Sequence, residues 1–123
     1  MKIEVSNGEI IDKLTIIQIK LERIKEETKL KNLKKEYEEL IKVTSSIMST
    51  KDLLYKALFD VNNELWDIED HIRDLERNKN FGEDFISTAR AVYIKNDRRA
   101  ELKREINIKT SSELIEEKSY EKY

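Results

Sequence analysis

The sequence predicts an all-α protein of long antiparallel amphipathic helices, arranged as a helical bundle or hairpin and dimeric. Three observations carry this. Proline is absent and the only glycines are Gly8 and Gly82, so few residues interrupt a helix. Charged residues make up 41% of the 123 residues and hydrophobic ones 38%, a balance suited to helices with one wet face and one dry face. The apolar residues recur in alternating steps of three and four, which is the heptad spacing.

The opening "MKIEV" alternates apolar and polar and suits a short extended segment. Ser6 then stands three residues before Glu9, the spacing of a capping box. Ile10, Leu14, Ile17, Leu21 and Ile24 form the first seam, and Ile11, Ile16 and Ile19 widen it. The spacing predicts helix 1 over about 8–26, touching more than one neighbour. Leu30, Leu33, Tyr37, Leu40, Thr44 and Ile47 predict helix 2 over about 29–47. The Ser/Thr-rich stretch after it marks a turn, with Ser49 or Thr50 as the next N-cap. Leu54, Leu58, Val61, Leu65, Ile68, Ile72 and Leu75 run without a fault and predict helix 3 over about 51–77. Asn78, Asn80 and Gly82 end it. Helix 4 is expected over about 82–108, and Ser111 or Ser112 would cap a short last helix. Residues 1–123 are read as one domain, with about 109–123 loose unless Leu114, Ile115 and Tyr120 dock.

Composition also narrows function. The 24 basic and 26 acidic residues are interspersed for a net charge of −2, so no basic footprint for nucleic acid or anionic lipid is expected. Cysteine is absent, which removes disulfides, thiolate chemistry and Cys-based zinc sites. No signal peptide or membrane-spanning run is read, so a cytoplasmic protein is expected. Neither a cofactor nor a metal is expected. His71 and Trp66 are the only residues of their types and are read as exposed and structural, respectively. No nucleophilic triad and no glycine-rich phosphate loop can be assembled.

Helix 4 breaks the pattern. Its seam runs Phe85, Ala89, Val92 and then Asn96, Arg99, Lys103 before Ile106. Three readings stand. The helix leaves the core after Tyr93 and lies in water, its long cationic stems covering apolar ends. Alternatively its cations are part-buried and paired, helix 3 offering Glu64, Asp67, Glu69 and Asp70. In the third reading Arg90, Arg98, Arg99, Lys103 and Arg104 form an anion site. Arg90 and Arg104 stand 14 residues apart, about four turns, and share an azimuth.

Two enzyme comparisons are weaker. Glu64 and Asp67 form the E-x-x-D pair that all-helical nucleotide pyrophosphohydrolases use to hold Mg²⁺, but the upstream E-E-x-x-E is incomplete at Glu38, Glu39 and Lys42. A chorismate-mutase-like site would recruit Gln18, Arg23, Arg73, Arg90 and Lys103, and no spacing selects them.

Three blocks, "SNGEIIDKLTIIQIKLERI", "ELWDIEDHIRDLE" and "ARAVYIKNDRRAELKREIN…EEKSY", together resemble a family of short helical bacterial and viral proteins. Related segments are appended to larger proteins associated with glycosyltransferases and surface-polysaccharide synthesis. The family pattern spans Gly8, Glu9, Asp12, Lys13 and Thr15, then Trp66, Glu69, Asp70 and Arg73. It continues through Tyr93, Asn96, Asp97, Arg98 and Arg99 and closes on Glu116, Glu117, Lys118, Ser119 and Tyr120. The resemblance implies a polar site where helix 1, the middle of helix 3 and helix 4 converge. The expected function is a non-enzymatic interaction or assembly module, a homodimer with a protein partner in glycan synthesis. The alternative is a binder of, or enzyme acting on, an anionic metabolite such as a nucleotide, nucleotide sugar or sugar phosphate. Arg90, Tyr93, Asn96, Arg98, Arg99 and Lys103 would then hold the ligand. Glu9, Asp12, Lys13, Glu69, Asp70, Arg73 and Asp97 would form the supporting polar cluster.

Overall fold

The computed structural model describes residues 1–112 and 114. Four helices follow one another: α1 (Asn7–Arg23), α2 (Glu27–Thr44), α3 (Leu53–Arg77) and α4 (Glu83–Lys109). Among the described residues there is no strand. The short last helix and the docking of Ile115 and Tyr120 lie outside the described residues, while Leu114 is exposed.

Local chemistry sets the boundaries. Ser6 caps α1, its hydroxyl accepting from the Glu9 N–H at 3.1 Å. Helix α2 stops at Thr44, short of Ile47, because Ser45 and Ser46 turn their hydroxyls back onto the carbonyls of Lys42 and Val43. Asp52, rather than Ser49 or Thr50, caps α3, its carboxylate accepting from the Leu54 N–H at 2.8 Å. Ser49 is occupied in the turn itself, accepting from the Lys51 N–H. Helix α3 ends in a Schellman turn: Lys79 is left-handed at φ 54° and the Asn80 N–H reaches the Leu75 carbonyl.

Helix α1 is the hub and packs against α2, α3 and α4, while α3 also packs along α4. Three residue pairs mark the α3–α4 seam: Asp52 with Lys109, Glu64 with Lys95, and His71 with Asp84. The core joins Ile11 and Leu14 of α1, Tyr55, Leu58 and Val61 of α3, and Leu102 and Ile106 of α4. Burying each such side chain contributes about 1.5–3 kcal/mol. Tyr37, Leu40 and Ile41 of α2 close one side, and Ile47 reaches the core from the turn. Burial also raises the Tyr55 phenol above its usual titration range, the Tyr37 phenol adding to the effect, and its hydroxyl donates to Gln18 Oε1.

The start of α1 lies directly on the end of α4. The first free N–H groups of α1 are each met: Asn7 by Ser112 Oγ at 3.1 Å, Gly8 by Asn107 Oδ1 at 2.6 Å, and Glu9 by Ser6. Only glycine fits this crossing, since a Cβ on Gly8 would overlap the Lys103 carbonyl oxygen and stand 3.0 Å from Asn107 Oδ1. Gly82 has open surroundings, with Asn80 Oδ1 the nearest atom to a Cβ at 3.6 Å.

Gly8→Ala is therefore expected to cost about 1–3 kcal/mol, measured by urea unfolding, because α1 must lift from α4. Gly82→Ala is expected to stay within about 0.5 kcal/mol of wild type in the same assay. The α3 cap gives a pH signature. The Lys109 hydrogen bond, then the Leu54 N–H, hold the Asp52 carboxyl below its usual range. A depressed folded-state value stabilises the fold above the ordinary carboxylate range and is lost as pH falls through it. The stability gap between wild type and Asp52→Ala should thus be full at neutral pH, at about 1 kcal/mol, and shrink below about pH 4 in pH-dependent denaturation curves.

Candidate functional site

The polar seam of α4 lies against α1. Asp12 of α1 is 1% exposed, in the middle of an otherwise apolar stripe. A bare carboxylate there would cost several kcal/mol. Arg99 answers it with a fork, Nε donating to Oδ1 at 2.9 Å and Nη2 donating to Oδ2. Asn62 of α3 adds a third donor, Nδ2 to Asp12 Oδ1 at 2.8 Å. The same nitrogen donates to Thr15 Oγ1 at 2.8 Å, and the Thr15 hydroxyl donates to the Asp12 carbonyl at 2.7 Å. One turn further along α4, Lys103 donates to Glu9 Oε2 at 2.6 Å. The side chains of Arg99 and Lys103 are 30% and 15% exposed.

These cations are part-buried and paired, and among the described residues their acidic partners come from α1 rather than from α3. Glu64 takes Lys95 at 2.6 Å, and Asp67 takes Arg23 at 2.7 Å. Both carboxylates of the E-x-x-D pair are thereby engaged by cations. The Arg23 hydrogen bond holds Asp67 below the usual carboxylate range, and Arg23 also donates to Asn63 and lies 5.6 Å from the Trp66 ring. Glu69 meets Arg73 within α3 at 3.4 Å.

The other sequence-derived candidates scatter. Arg98 is exposed and bridges Glu101 along α4, and Arg90 and Tyr93 lie on exposed positions of the same helix. Lys13 points to α2, 3.4 Å from Glu36. Asp70 and Arg73 are exposed and Asp97 is half-buried. Asn96 is half-buried beside Arg99. Glu9, Asp12, Asn96, Arg99, Lys103 and Glu69 thus gather where α1, α3 and α4 meet.

Asn62 and Asn107 did not stand out in the sequence. Both are polar residues beside a seam position, Asn62 after Val61 and Asn107 after Ile106. Asparagine is a poor interior helix former, which is the one signal that could have marked them. His71, with Nε2 3.1 Å from both Asp84 oxygens, is exposed.

Two hollows adjoin these elements. One of about 550 Å³ lies among α1, α2 and α3 and is walled by Leu21, Tyr37, Tyr55 and Phe59. The other, of about 220 Å³, lies beside the Asp12–Arg99 pair, among Ile16, Asn62, Leu65, Trp66, Glu69, Asn96 and Arg99. No helix of the described residues is long and apolar enough to cross a membrane.

Residues 1–123 match the model of a family described as "Family of unknown function (DUF6165)". No curated protein and no solved structure matches the chain.

Removing one side of the Asp12–Arg99 pair strands the other. Arg99→Leu should destabilise by about 2–4 kcal/mol, somewhat less than a fully buried pair because Arg99 is partly solvated. Asp12→Leu combined with Arg99→Leu should cost less than the two single changes added together, giving a positive coupling in a double-mutant cycle of urea midpoints.

Proposed function

The chain belongs to this family of unknown function, and we propose that it is a non-enzymatic helical interaction and assembly module. The observation that carries this reading is the closure of charge inside the α1–α3–α4 junction. Arg99 and Asp12, and Lys103 and Glu9, answer each other across helices, so the cluster fixes how the helices sit. Buried pairs are well suited to that task because a slipped register leaves a charge unanswered. The alternative, an anionic metabolite held by Arg90, Arg98, Arg99 and Lys103, draws less support. Arg99 and Lys103 already face carboxylates, and Arg98 and Arg90 are exposed.

In this reading the helices form an antiparallel bundle, a sense favoured by the three pairs along the α3–α4 seam. The active species is a homodimer in the cytoplasm. Ile86 and Ile94 on α4 and Phe81 before it offer exposed apolar surface for the second copy or another partner. The resemblance of the three sequence blocks to segments attached to glycosyltransferase-associated proteins supports a place in surface-polysaccharide synthesis.

Sedimentation equilibrium of the full chain tests the assembly. The expected mass is twice that of one chain at micromolar concentration, falling to one chain in Ile86→Lys/Ile94→Lys with helicity retained. A wild-type chain that stays monomeric across that range overturns the dimer.

A further inference from the structure

The smaller hollow between α1, α3 and α4 has a lining that the ion pair does not account for. Asn62, 6% exposed, sits at its edge. Its amide orientation is fixed by chemistry: a carboxylate only accepts, so the nitrogen faces Asp12, and the carbonyl Oδ1 is turned the other way. That oxygen has no hydrogen bond to a described residue. It is not sealed in, because every fully enclosed side-chain polar atom among the described residues has a partner. Oδ1 is therefore within reach of solvent, and Asn62 is one of the residues that line the hollow. Asn96, on the α4 side, also brings a side-chain amide without a hydrogen bond to a described residue. Glu69 presents a carboxylate held only by an exposed contact with Arg73 at 3.4 Å. Trp66, Leu65 and Ile16 supply the apolar wall.

Two balances select the ligand. The first is charge. Arg99 lines the hollow but is paired with Asp12, and Glu69 faces Arg73, so no net positive charge favours an anion there. The second is hydrogen bonding. Two amide oxygens and a carboxylate await donors, while the Asn96 NH₂ and the Trp66 indole N–H await acceptors, so the ligand must both donate and accept while remaining uncharged. Hydroxyl groups do this. The aromatic and aliphatic wall requires a ring with a C–H face. The volume, about 220 Å³, equals about seven liquid waters at ~30 Å³ each and admits one such ring but not a drug-sized molecule. We propose that the α1–α3–α4 hollow binds an uncharged polyhydroxylated ring of monosaccharide size, with Asn62, Glu69 and Asn96 on its hydroxyls and Trp66 on its face. This goes beyond the assembly reading and does not depend on it.

Trp66 is the only tryptophan, so the emission comes from one ring that lines this hollow and also meets Arg23. The full chain is titrated with the methyl glycosides of glucose, galactose, mannose and N-acetylglucosamine, and separately with glucose 6-phosphate and inorganic phosphate. Saturation-transfer NMR on each compound gives a second readout. At least one methyl glycoside should shift the emission saturably and receive saturation, with the phosphates binding no tighter. Asn96→Ala should weaken that binding about tenfold with an unchanged unfolding midpoint. Asn96→Leu, which fills the space, should abolish it. No saturable response to any glycoside means the hollow holds only water and overturns the proposal. Binding of a phosphate without any glycoside overturns the charge argument, and binding undiminished in both variants overturns the site. The mass of the chain in the same samples is read independently, so loss of this site and loss of the dimer are told apart.

Discussion

The junction of α1, α3 and α4 is built around one buried carboxylate. Asp12 is almost without solvent, and its two oxygens are met by the Arg99 fork and the Asn62 amide. Each donor comes from a different helix. A shift of α4 by one residue would swing Arg99 away by about 100°, and a shift of α3 would withdraw Asn62. Apolar packing tolerates small slips, since one branched side chain can stand in for another. A buried charge tolerates none, because the desolvation cost is met only at hydrogen-bonding distance. The pair thus supplies uniqueness to a core whose burial energy comes from Leu14, Leu58, Leu102 and Ile106.

A second constraint lies one turn away and works through shape rather than charge. Gly8 lets the α1 backbone settle on the α4 backbone, and Asn107 spans the contact by accepting from the Gly8 N–H. Just past the end of α4, Ser112 accepts from the Asn7 N–H and Thr110 from the Asn7 side-chain amide. Opposite ends of the two helix dipoles face each other there, which is favourable. The glycine contact sets the height of α1 over α4, and the Lys103–Glu9 and Arg99–Asp12 pairs set its register. The three contacts follow each other along the same face of α4.

Function follows from how that junction closes. A row of cations on a helix invites an anion only if the cations face nothing else. Here Arg99 and Lys103 face α1, so the row acts as an internal fastening, and the uncompensated chemistry moves to the neighbouring hollow. What remains there is a mixed set of hydrogen-bond acceptors and donors beside an indole, which in the proposed reading discriminates by hydrogen bonding and shape rather than by charge. Such a site can coexist with an assembly role, because it draws on the face of Asn62 that the ion pair leaves unused.

The sequence by itself determined the helices. Heptad steps in α1 and α3, the Ser6 cap and the absence of proline are local facts, and the helices they specify differ from the observed ones by a few residues at most ends. Those differences arose where side chains bid for the backbone, as at Ser45, Ser46 and Asp52, because such competition depends on which donors lie nearby. The sequence also marked Asn96, Arg99 and Lys103 as misfits in their seam. Only the tertiary structure decided what they meet. The heptad rule places a residue on a face but not against a particular neighbour, so spacing pointed to the acids of α3 where the structure uses Asp12 and Glu9 of α1. The choice of Asp12 and Glu9 rests on the close crossing at Gly8, which brings α1 and α4 together at that height. Asn62 and Asn107 were hidden for the same reason: a single polar residue beside a seam gains its role only when another helix places a carboxylate or a bare N–H in front of it.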